Sequence, residues 1–499
     1  MSGRTEPGAT TTAAAGARTA HEGWPLEPDG AQMRALVDAA MARLVPTVES
    51  YGEQPIYDVA GAVDAAASLI APMPEHGRPL EETLALVFDR ATPHSFGTPM
   101  PGYLAYIPGG GLFHSAVADL IGDTLNRYTG VWQAAPGLVQ LETNVLRWLC
   151  DEVGYGSGAR GFFTTGGSLA NFSALVVARR EKLPPDFLRG TVYCSDQVHH
   201  SLQKAAMLAG LPPENVRALP CDARFRLAPE AVEAAIAEDR ARGLQPFMVV
   251  ASAGTVNTGA VDSLPALADV AQREGLWLHV DGAYGGCFVL TARGKEILAG
   301  IERADSVTLD PHKGLFLPYG TGCLLVRDGE ALARAHGLHA AYLPERPPAH
   351  PGETDGEGWW DFSELSPELS RPFRGLRVWL PLRLCGAQAF RDALDEKLDL
   401  AQWAAAEVAR IPNVRLLAPP ELSLLAFRLE PPNTSRAERD RLNHEVLAKV
   451  AARQRVLLTG TDLADGFVGR ICVLSFRTHQ DRMEMALEDL RAAAAELVG

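Results

Sequence analysis

The sequence predicts an α/β protein in which a large domain, built on a mainly parallel sheet, is followed by a small α+β domain at the carboxyl end. Between about residues 113 and 387, short apolar runs alternate with helix-like stretches, which is the pattern of a parallel sheet covered by helices on both faces. After about residue 390, a long helix leads into a second, smaller set of strands and a final helix. The 499 residues, 47% of them hydrophobic and 21% charged, are enough for two or three units with buried cores.

The strand candidates are short apolar runs that end at glycine, proline or polar turn residues. In the large domain they are residues 161–164, 191–194, 247–252, 276–280, 306–309 and 322–326. In the small domain they are residues 414–416, 422–429 and 470–476, followed by a helix over 480–497. Ahead of the sheet, the amphipathic segments 29–49, 59–71 and 79–91 have too little apolar mass for a core of their own and predict a helical flap. The predicted organisation is a disordered tail over 1–23, the flap over 24–112, the large domain over 113–387 and the small domain over 388–499.

Composition narrows the possible partners and location. The formal net charge of −15 argues against nucleic acid or an anionic membrane as a partner. No apolar run reaches the length of a membrane span, and the first residues lack the charged-then-apolar order of a secretion signal, so we expect a cytoplasmic protein. The seven cysteines are scattered without the C-x-x-C spacing of a zinc or redox site, and we interpret them as small buried residues.

Lys313 differs from the other five lysines because it follows directly on a buried strand. The run 306–309 ends in the motif Asp-Pro-His-Lys-Gly (310–314), and a second apolar run follows after a proline and glycine turn. A lysine in a dry pocket has its charged form disfavoured, which frees the amine to attack a carbonyl and form a Schiff base. Lys313 is therefore a nucleophile candidate, although a lysine that extends from a strand end to solvent fits this segment equally well.

The segment Phe-Phe-Thr-Thr-Gly-Gly-Ser (162–168) predicts a strand, a tight turn and the start of a helix. Free amides at the positive end of a helix dipole, together with a serine hydroxyl, form an anion site that suits a phosphate. The candidate residues are Gly166, Gly167 and Ser168, although Gly-Gly-Ser also occurs as ordinary helix capping. The segment lacks the lysine of a nucleotide-binding P-loop.

Asp281 ends a strand that is otherwise apolar, in Trp-Leu-His-Val-Asp-Gly-Ala-Tyr-Gly-Gly (277–286). A buried carboxylate is costly unless it meets a cation, and a protonated pyridine nitrogen would be such a partner. The small residues after Asp281 leave room for a flat ring against the backbone. His279 shares a strand face with Asp281, which leaves a metal pair open, but no third ligand has suitable spacing and we predict no metal site.

Two adjacent histidines, His199 and His200, follow another strand candidate in Ser-Asp-Gln-Val-His-His (195–200). Four strand ends thus offer a phosphate cradle, a carboxylate, an amine and an imidazole that could stack on a ring. Ligands in such sheets bind at the carboxyl ends of the strands. Together these groups predict pyridoxal 5'-phosphate as the cofactor.

In the order Gly-Gly-Ser, Ser-Asp-Gln-x-His, His-Val-Asp-x-Ala-Tyr and Pro-His-Lys, the sequence resembles the group II pyridoxal-phosphate-dependent amino acid decarboxylases, the family of the aromatic-amino-acid and glutamate decarboxylases. The similarity begins near residue 30 and includes Arg-Pro-Phe-Arg-Gly-Leu-Arg-Val-Trp (371–379). It implies the pyridoxal-phosphate transferase fold type I, which is aspartate aminotransferase-like. The implied roles are a Schiff base at Lys313, pairing of Asp281 with the pyridine nitrogen, ring contact at Ala283, stacking by His199, a place near the ring oxygen and the substrate for Thr255, and phosphate binding by Gly166, Gly167, Ser168 and His312.

The resemblance also implies the reaction, which is decarboxylation of an L-amino acid to the amine and CO2. In the family a tyrosine on a loop after the lysine returns a proton to Cα, and Tyr342 stands at that place. Relatives with phenylalanine there tend to produce aldehydes by oxidative deamination, so the tyrosine favours an amine product. Tyr106, Ile107 and Trp132 are the candidate substrate-pocket walls and favour an aromatic substrate, with aliphatic and acidic substrates as alternatives.

Three positions depart from the family pattern. Asp310 stands where relatives often carry asparagine and brings a negative charge near the expected phosphate; Gly314 stands where many carry tryptophan; and His200 follows the stacking histidine. The remaining alternatives are an aldehyde synthase or aminotransferase on the same fold and, from another class, a catalytically silent binding subunit. The presence of Lys313 and Asp281 argues against the silent subunit. From the resemblance we also expect a homodimer with shared active sites.

Overall fold

The computed structural model describes residues 26–338, 359 and 361–498. The described chain divides into two compact units, of which the smaller takes in the residues up to Gln54 together with Asp58–Ser95. The larger unit consists of Pro55–Tyr57 and the chain from Phe96 onwards. The predicted tail over 1–23 lies outside the described residues. Residues 96–112, which the sequence placed in the flap, belong to the larger unit because Tyr103 and Ala105 pack with Leu457 of the small sheet domain.

The smaller unit is helical, as the sequence predicted. Its helices are α1 (Gly30–Glu49), α2 (Ala62–Ser68) and α3 (Leu80–Ala85), and the last continues as a π-helical turn over Leu86–Ala91. Helix α1 begins with a capping box, in which the Asp29 carboxylate accepts from the Gln32 amide and the Gln32 side chain accepts from the Asp29 amide. In the described chain none of the α1 residues is buried.

The larger unit contains a seven-stranded sheet that confirms the predicted α/β class. Its strands are β1 (Arg160–Thr164), β2 (Gly190–Ser195), β3 (Val216–Leu219), β4 (Gln245–Ser252), β5 (Trp277–Gly282), β6 (Ser306–Leu309) and β7 (Gly322–Val326). The strand order is β1-β7-β6-β5-β4-β2-β3, and β7 runs antiparallel to both of its neighbours while all other pairs are parallel. The six predicted strands are confirmed. Strand β3 was missed because this edge strand is only partly buried and has no continuous apolar run.

Helices cover both faces of this sheet and connect its strands. They are α4 (Phe113–Leu125), α5 (Pro136–Val153), α6 (Gly167–Lys182), α7 (Ser201–Leu208), α8 (Pro229–Ala241), α9 (Leu264–Glu274), α10 (Ala292–Ile297), α11 (Pro311–Gly314), α12 (Glu330–His336) and α13 (Phe362–Leu365). Because the central strands are buried on both faces, residues such as Val249, Val280 and Leu309 are fully buried. Each helix in the described ranges is too short or too polar to cross a bilayer.

Helix α14 (Gly375–Val408) leads from the large sheet into the small carboxyl-terminal domain. It starts earlier than the predicted helix and is interrupted at Gly386, whose φ of 76° and ψ of 153° break the helical path one residue before position 387. The small domain consists of β8 (Val414–Leu416), β9 (Leu424–Leu429), α15 (Arg436–Ala452), β10 (Thr459–Leu463), β11 (Gly466–Cys472) and α16 (Gln480–Val498).

The small sheet is antiparallel in the order β10-β11-β9-β8. Strands β8 and β9 and the final helix are confirmed. The predicted strand over 470–476 begins earlier, at Gly466, because a tight hairpin with β10 fixes its register. Strand β10 was missed because it is polar and mostly half-exposed.

Candidate active site

A cavity of about 500 Å³ opens at the carboxyl ends of the central strands. All nine residues that the sequence proposed for cofactor binding line it, namely Gly166, Gly167, Ser168, His199, Thr255, Asp281, Ala283, His312 and Lys313. These residues come together because of the parallel register, in which Ser252 of β4, Asp281 of β5 and Thr308 of β6 lie side by side. The motifs are far apart in the sequence, and the sheet brings them to one edge.

Lys313 lies in the short helix α11, which begins directly after β6 and is capped by Asp310. Its Nζ lies 2.9 Å from Oδ2 of Asp310, whose side chain is almost completely buried. Burial by itself lowers the pKa of Lys313, but the charge and hydrogen bond of Asp310 outweigh it, and the pKa ends above its ordinary value. The expectation that a dry pocket would disfavour the ammonium form is therefore wrong for the protein chain by itself, because the carboxylate three residues earlier stabilises the cation.

The turn between β1 and α6 forms a backbone cradle at the cavity wall. The first amides of α6 have no carbonyl within the helix to bind, and the helix dipole places its positive end here. A Cβ atom added to Gly167 would lie 3.0 Å from both Ala283 Cβ and Asp310 Oδ2, so a side chain at this position would fill the cradle. On the other side, a Cβ on Gly322 would lie 2.5 Å from the Gly166 backbone. This geometry fits the anion-binding turn that we predicted from the sequence.

Asp281 is buried and held by two donors. The Nδ2 of Asn171 donates to Oδ2 over 2.8 Å, and the amide of Ala283 donates to Oδ1 over 3.1 Å. A carboxylate that accepts hydrogen bonds is stabilised in its charged form, so Asp281 presents a fixed negative charge to the cavity.

His279 takes part in the support of Asp281 through Asn171. Its Nδ1 lies 2.8 Å from Ser306 Oγ and its Nε2 lies 3.1 Å from Asn171 Oδ1. Burial lowers the pKa of His279 to about 4, against the opposing charge of Asp281, so the ring is neutral near pH 7. Within the described residues, no group of three or more His, Cys, Asp or Glu side chains could hold a metal ion.

His199 is fixed by Ser201 at the start of α7. The Ser201 amide donates to Nδ1 over 3.2 Å, and the Ser201 hydroxyl lies 2.8 Å from the same nitrogen while accepting from Asn171 Nδ2. The proton of the neutral ring is therefore on Nε2. Burial lowers the pKa of His199, with the charge of Asp281 opposing it. His200, by contrast, is exposed, and its ring lies 4.2 Å from that of His199.

His312 and Thr255 occupy two further parts of the wall. The Nδ1–H of His312 donates to the Thr321 carbonyl over 2.8 Å, which leaves Nε2 as the acceptor, 3.8 Å from Asp310 Oδ2. Burial lowers the pKa of His312, so it adds no positive charge near pH 7. The Oγ1 of Thr255 lies 2.9 Å from that of Thr258 and accepts from the Ala260 amide over 3.2 Å.

The substrate-pocket candidates separate into two groups. Tyr106 and Ile107 line the cavity, whereas Trp132 is outside the lining and packs against Trp359, with ring centroids 4.5 Å apart and the rings tilted by 32°. Tyr106 has a φ of 51°, a left-handed conformation that is uncommon for a tyrosine. Tyr342, the predicted proton donor, lies outside the described residues.

Sequence reasoning missed several polar and aromatic residues of the wall. Asn171, Ser201, Ser252 and Tyr284 line the cavity next to the predicted groups. A signal existed for Asn171, which lies one helical turn after Gly167 and hence on the same face of α6. The other three had no marker, because serines and tyrosines at strand ends are common.

The structure shows what surrounds Gly314 and Asp310, two positions that depart from the family pattern. A Cβ on Gly314 would lie 2.4 Å from Cys287 Cβ, so this backbone has no room for the tryptophan of many relatives. Asp310 has one carboxylate oxygen, Oδ1, that is buried and has no hydrogen-bond partner among the described residues. Both positions contact the lysine segment, and both therefore bear on how that segment works.

Comparison with known proteins gives a consistent result. Residues 94–430 match the family described as the pyridoxal-dependent decarboxylase conserved domain. The aromatic-L-amino-acid decarboxylase of Bacillus atrophaeus is 33% identical over 473 residues, covering 95% of this chain and 97% of that protein. The human cysteine sulfinic acid decarboxylase is 34% identical over 358 residues, covering 70% of this chain and 71% of that protein. The crystal structure of Oryza sativa TDC with PLP and tryptamine superposes with a TM-score of 0.88 at 25% identity, covering 95% of this chain and all of that chain.

Proposed function

The chain belongs to the pyridoxal-dependent decarboxylase family and is a carboxy-lyase that uses pyridoxal 5'-phosphate, and we propose that it converts an aromatic L-amino acid to its amine and CO2 at the cavity around Lys313. The observation that carries the proposal is the arrangement of Lys313, Asp281 and His199 around one cavity walled on one side by Tyr106. An amine, a fixed carboxylate and a fixed neutral imidazole are the groups that this reaction requires.

The residues of the cavity fit the cofactor on the chain's own geometry. The glycine cradle at Gly166 and Gly167, which a single Cβ would fill, together with Ser168 and the free end of α6, would hold the phosphate. Asp281, already supplied with two donors, would hold the positive end of the ring, and Lys313 offers the amine that would bind the aldehyde. Ala283, Thr255 and His312 would complete the contacts from the same wall.

When bound, pyridoxal 5'-phosphate supplies a protonated ring that accepts the electron pair released as the Cα–carboxylate bond breaks. Asp281, held in place by Asn171 and the Ala283 amide, would pair with that ring nitrogen and favour its charged form. His199 presents a neutral ring with its proton on Nε2, locked by Ser201 at Nδ1, so it orients bound groups without adding a second positive charge.

Proton return to Cα determines whether the product is an amine or an aldehyde. We assign the donor role to Tyr342, on the strength of its place after the lysine motif and of the family pattern. A Tyr342→Phe variant is expected to lose amine formation and to gain aldehyde and peroxide, which mass spectrometry and a peroxide assay would measure. An unchanged amine yield would remove Tyr342 from the mechanism.

The lining favours an aromatic side chain over an acidic one. Within the described residues, Lys313 is the one lysine or arginine side chain that lines the cavity, so a second carboxylate on the substrate would find no cation. Tyr106, Ile107 and Val256 supply apolar wall instead. The aromatic-L-amino-acid decarboxylase of Bacillus atrophaeus, similar over 95% of this chain, supports the same choice.

A homodimer is the assembly that the exposed surface supports. Helix α1 buries none of its residues in the described chain, yet Met33, Leu36 and Val37 form an exposed apolar stripe along it. Sedimentation of the holoenzyme at twice the chain mass would support a homodimer, and full activity in a monomer would contradict it. We place the enzyme in the cytoplasm, in keeping with seven free cysteines.

The experiment that tests the function uses purified protein, pyridoxal 5'-phosphate and a mixture of the twenty amino acids with DOPA, followed by mass spectrometry. Lys313→Ala is the variant that we expect to be inactive. Lys295→Ala is the control, because Lys295 is half-exposed and pairs with Glu152 away from the cavity. One aromatic amine formed by the wild type and the control, and absent with Lys313→Ala, supports the proposal. Amine from an acidic or aliphatic amino acid would overturn the substrate class, and no product in any sample would favour a silent subunit.

A further inference from the structure

Asp310 contacts the candidate nucleophile and also borders the phosphate cradle. Its Oδ2 lies 2.9 Å from Lys313 Nζ. The same oxygen would be 3.0 Å from a Cβ on Gly167, which places the carboxylate directly against the turn whose amides attract an anion. The residue is 1% exposed, and Oδ1 has no hydrogen-bond partner among the described residues although it is buried.

This arrangement sets two negative groups against each other once a phosphate ester occupies the cradle. Unlike charges stabilise each other strongly in a poorly hydrated site, and like charges repel with similar strength. Lys313, the one lysine or arginine of the wall among the described residues, is already the partner of the Asp310 carboxylate. His312, 3.8 Å away, gives no second cation because burial lowers its pKa.

We propose that Asp310 is a positioning residue that sets the charge of the cofactor site: it holds Lys313 as the ammonium ion, and it makes binding of a phosphate ester at the Gly166–Gly167 turn depend on the uptake of a proton. The proton enters on the phosphate ester or on the Asp310 carboxylate, and either place relieves the repulsion between them. The inference rests on the proposed cofactor site.

The other titratable groups around Asp310 do not supply this proton. Those that face it or its lysine partner are Lys313, His312, His199, Asp281, Tyr319, Cys287, Cys323 and Cys472. Burial raises the pKa of the Tyr319 phenol above its ordinary value and that of the Cys472 thiol to about 12, so both keep their protons. Burial raises the pKa of the Cys287 thiol to about 12, and it raises that of the Cys323 thiol well above its ordinary value, so both keep their protons. Burial lowers the pKa of both histidines, which makes them poor proton acceptors near pH 7.

The test uses ligands that cannot bond covalently to the lysine. The probe is 4'-deoxypyridoxine 5'-phosphate, and the matched ligand is 4-deoxypyridoxine, which has the same ring without the phosphate. Isothermal titration into protein freed of cofactor, at several pH values between 6 and 9 and in buffers of different ionisation enthalpy, gives both the Kd and the number of protons taken up. Because the ring is the same, protons taken up at the ring cancel in the comparison of the two ligands.

The variant is Asp310→Asn, which keeps the shape of the side chain but removes its charge. Its control is Asp305→Asn at the other end of β6, where the carboxylate pairs with Arg327 and accepts from the Leu278 amide away from the cavity. We expect Asp310→Asn to bind the phosphate probe at least about tenfold more tightly at pH 8, with a smaller gain at pH 6, and to take up close to one proton fewer than wild type. The matched ligand and the Asp305 variant should show little change.

Equal or weaker binding of the phosphate probe by Asp310→Asn, with an unchanged proton count, would overturn the inference. If that variant does not fold, the wild type still decides, since equal proton uptake for the two ligands at pH 8 overturns the proposal. Failure of the wild type to bind the phosphate probe at any pH would instead count against the proposed cofactor site, so the two failures are distinguishable.

Discussion

Asn171 donates a hydrogen bond of 2.8 Å from its Nδ2 to Oδ2 of Asp281, and both side chains are buried. The bond is the last of a directional series. Asn171 Oδ1 can only accept, so His279 Nδ1 has no proton and accepts from the Ser306 hydroxyl, which in turn accepts from Trp277 Nε1. His279 then carries its proton on Nε2 and donates to Asn171 Oδ1. The series fixes the orientation of the Asn171 amide and thereby the direction from which Asp281 is held.

Replacing Asn171 with alanine is expected to weaken cofactor retention. The change removes one donor from Asp281 and leaves His279 Nε2 without its acceptor, and a buried polar group without a partner costs about 1–3 kcal/mol. We expect the Kd for pyridoxal 5'-phosphate to rise at least about tenfold, measured by absorbance titration. Asn215→Ala is the control. Asn215 is also buried, but its Nδ2 donates to the backbone carbonyls of Leu188 and Gly190 and not to Asp281. It should lose stability with cofactor affinity unchanged.

Replacing Tyr106 with alanine tests the substrate wall. The φ of 51° at Tyr106 is held by two bonds from the small domain, a hydroxyl of Thr459 that accepts from its amide and Arg470 Nη2 that donates to its carbonyl. A side chain kept in a strained conformation beside the cavity indicates a functional demand. We expect Tyr106→Ala to raise KM for the aromatic substrate about tenfold while kcat changes less, because ring contact contributes on the order of 1–2 kcal/mol to binding.

The control for this variant is Phe225→Ala. Phe225 has a similar φ of 63° but lies outside the cavity lining. Both variants replace an aromatic residue that has a left-handed φ with alanine. A rise in KM in both variants would therefore assign the effect to the backbone. A rise for Tyr106 alone would assign it to the lost ring.

The sequence was sufficient to predict the large sheet and to find candidate residues that line one cavity, because both leave strong local patterns. Buried parallel strands appear as apolar runs, and Asp281 and Lys313 stand out as charges at the ends of such runs. Strands β3 and β10 left no such pattern, since each is partly exposed and neither has a continuous apolar run. The protonation of Lys313 could not be predicted from burial alone, because it depends on the distance to Asp310.

The stability of the fold should decrease in acid partly because of His336. Burial, and next the charge of Arg180, lower the pKa of His336 to about 4, and its Nε2 has no hydrogen-bond partner in the described chain. The folded form therefore stays neutral while the unfolded chain binds a proton below about pH 6.5, so unfolding takes up a proton and stability falls between pH 6.5 and 4. The full effect is up to about 3 kcal/mol at pH 4.

A His336→Gln variant should lose less stability over that range than the wild type. Denaturant midpoints at pH 8 and at pH 5 would measure it, and the pH 8 values give the cost of the substitution itself. An equal change of stability with pH in the two proteins would contradict the role given to His336.

Gly314 is the position at which the chain departs most clearly in shape from relatives that carry tryptophan, and Cys287 is the reason. A Cβ on Gly314 would lie 2.4 Å from Cys287 Cβ and 3.1 Å from its Sγ, and both residues are buried. Gly314→Ala should therefore destabilise the protein by about 1–3 kcal/mol and displace the segment that carries Lys313. Cys287→Ala should not relieve it, since the clashing Cβ remains, whereas Cys287→Gly should, so Gly314→Ala with Cys287→Gly is expected to be more stable than the sum of the two single changes predicts. Unfolding midpoints of the single and double variants measure this coupling, and purely additive values would show that the backbone at Gly314 accommodates a side chain by some movement other than away from Cys287.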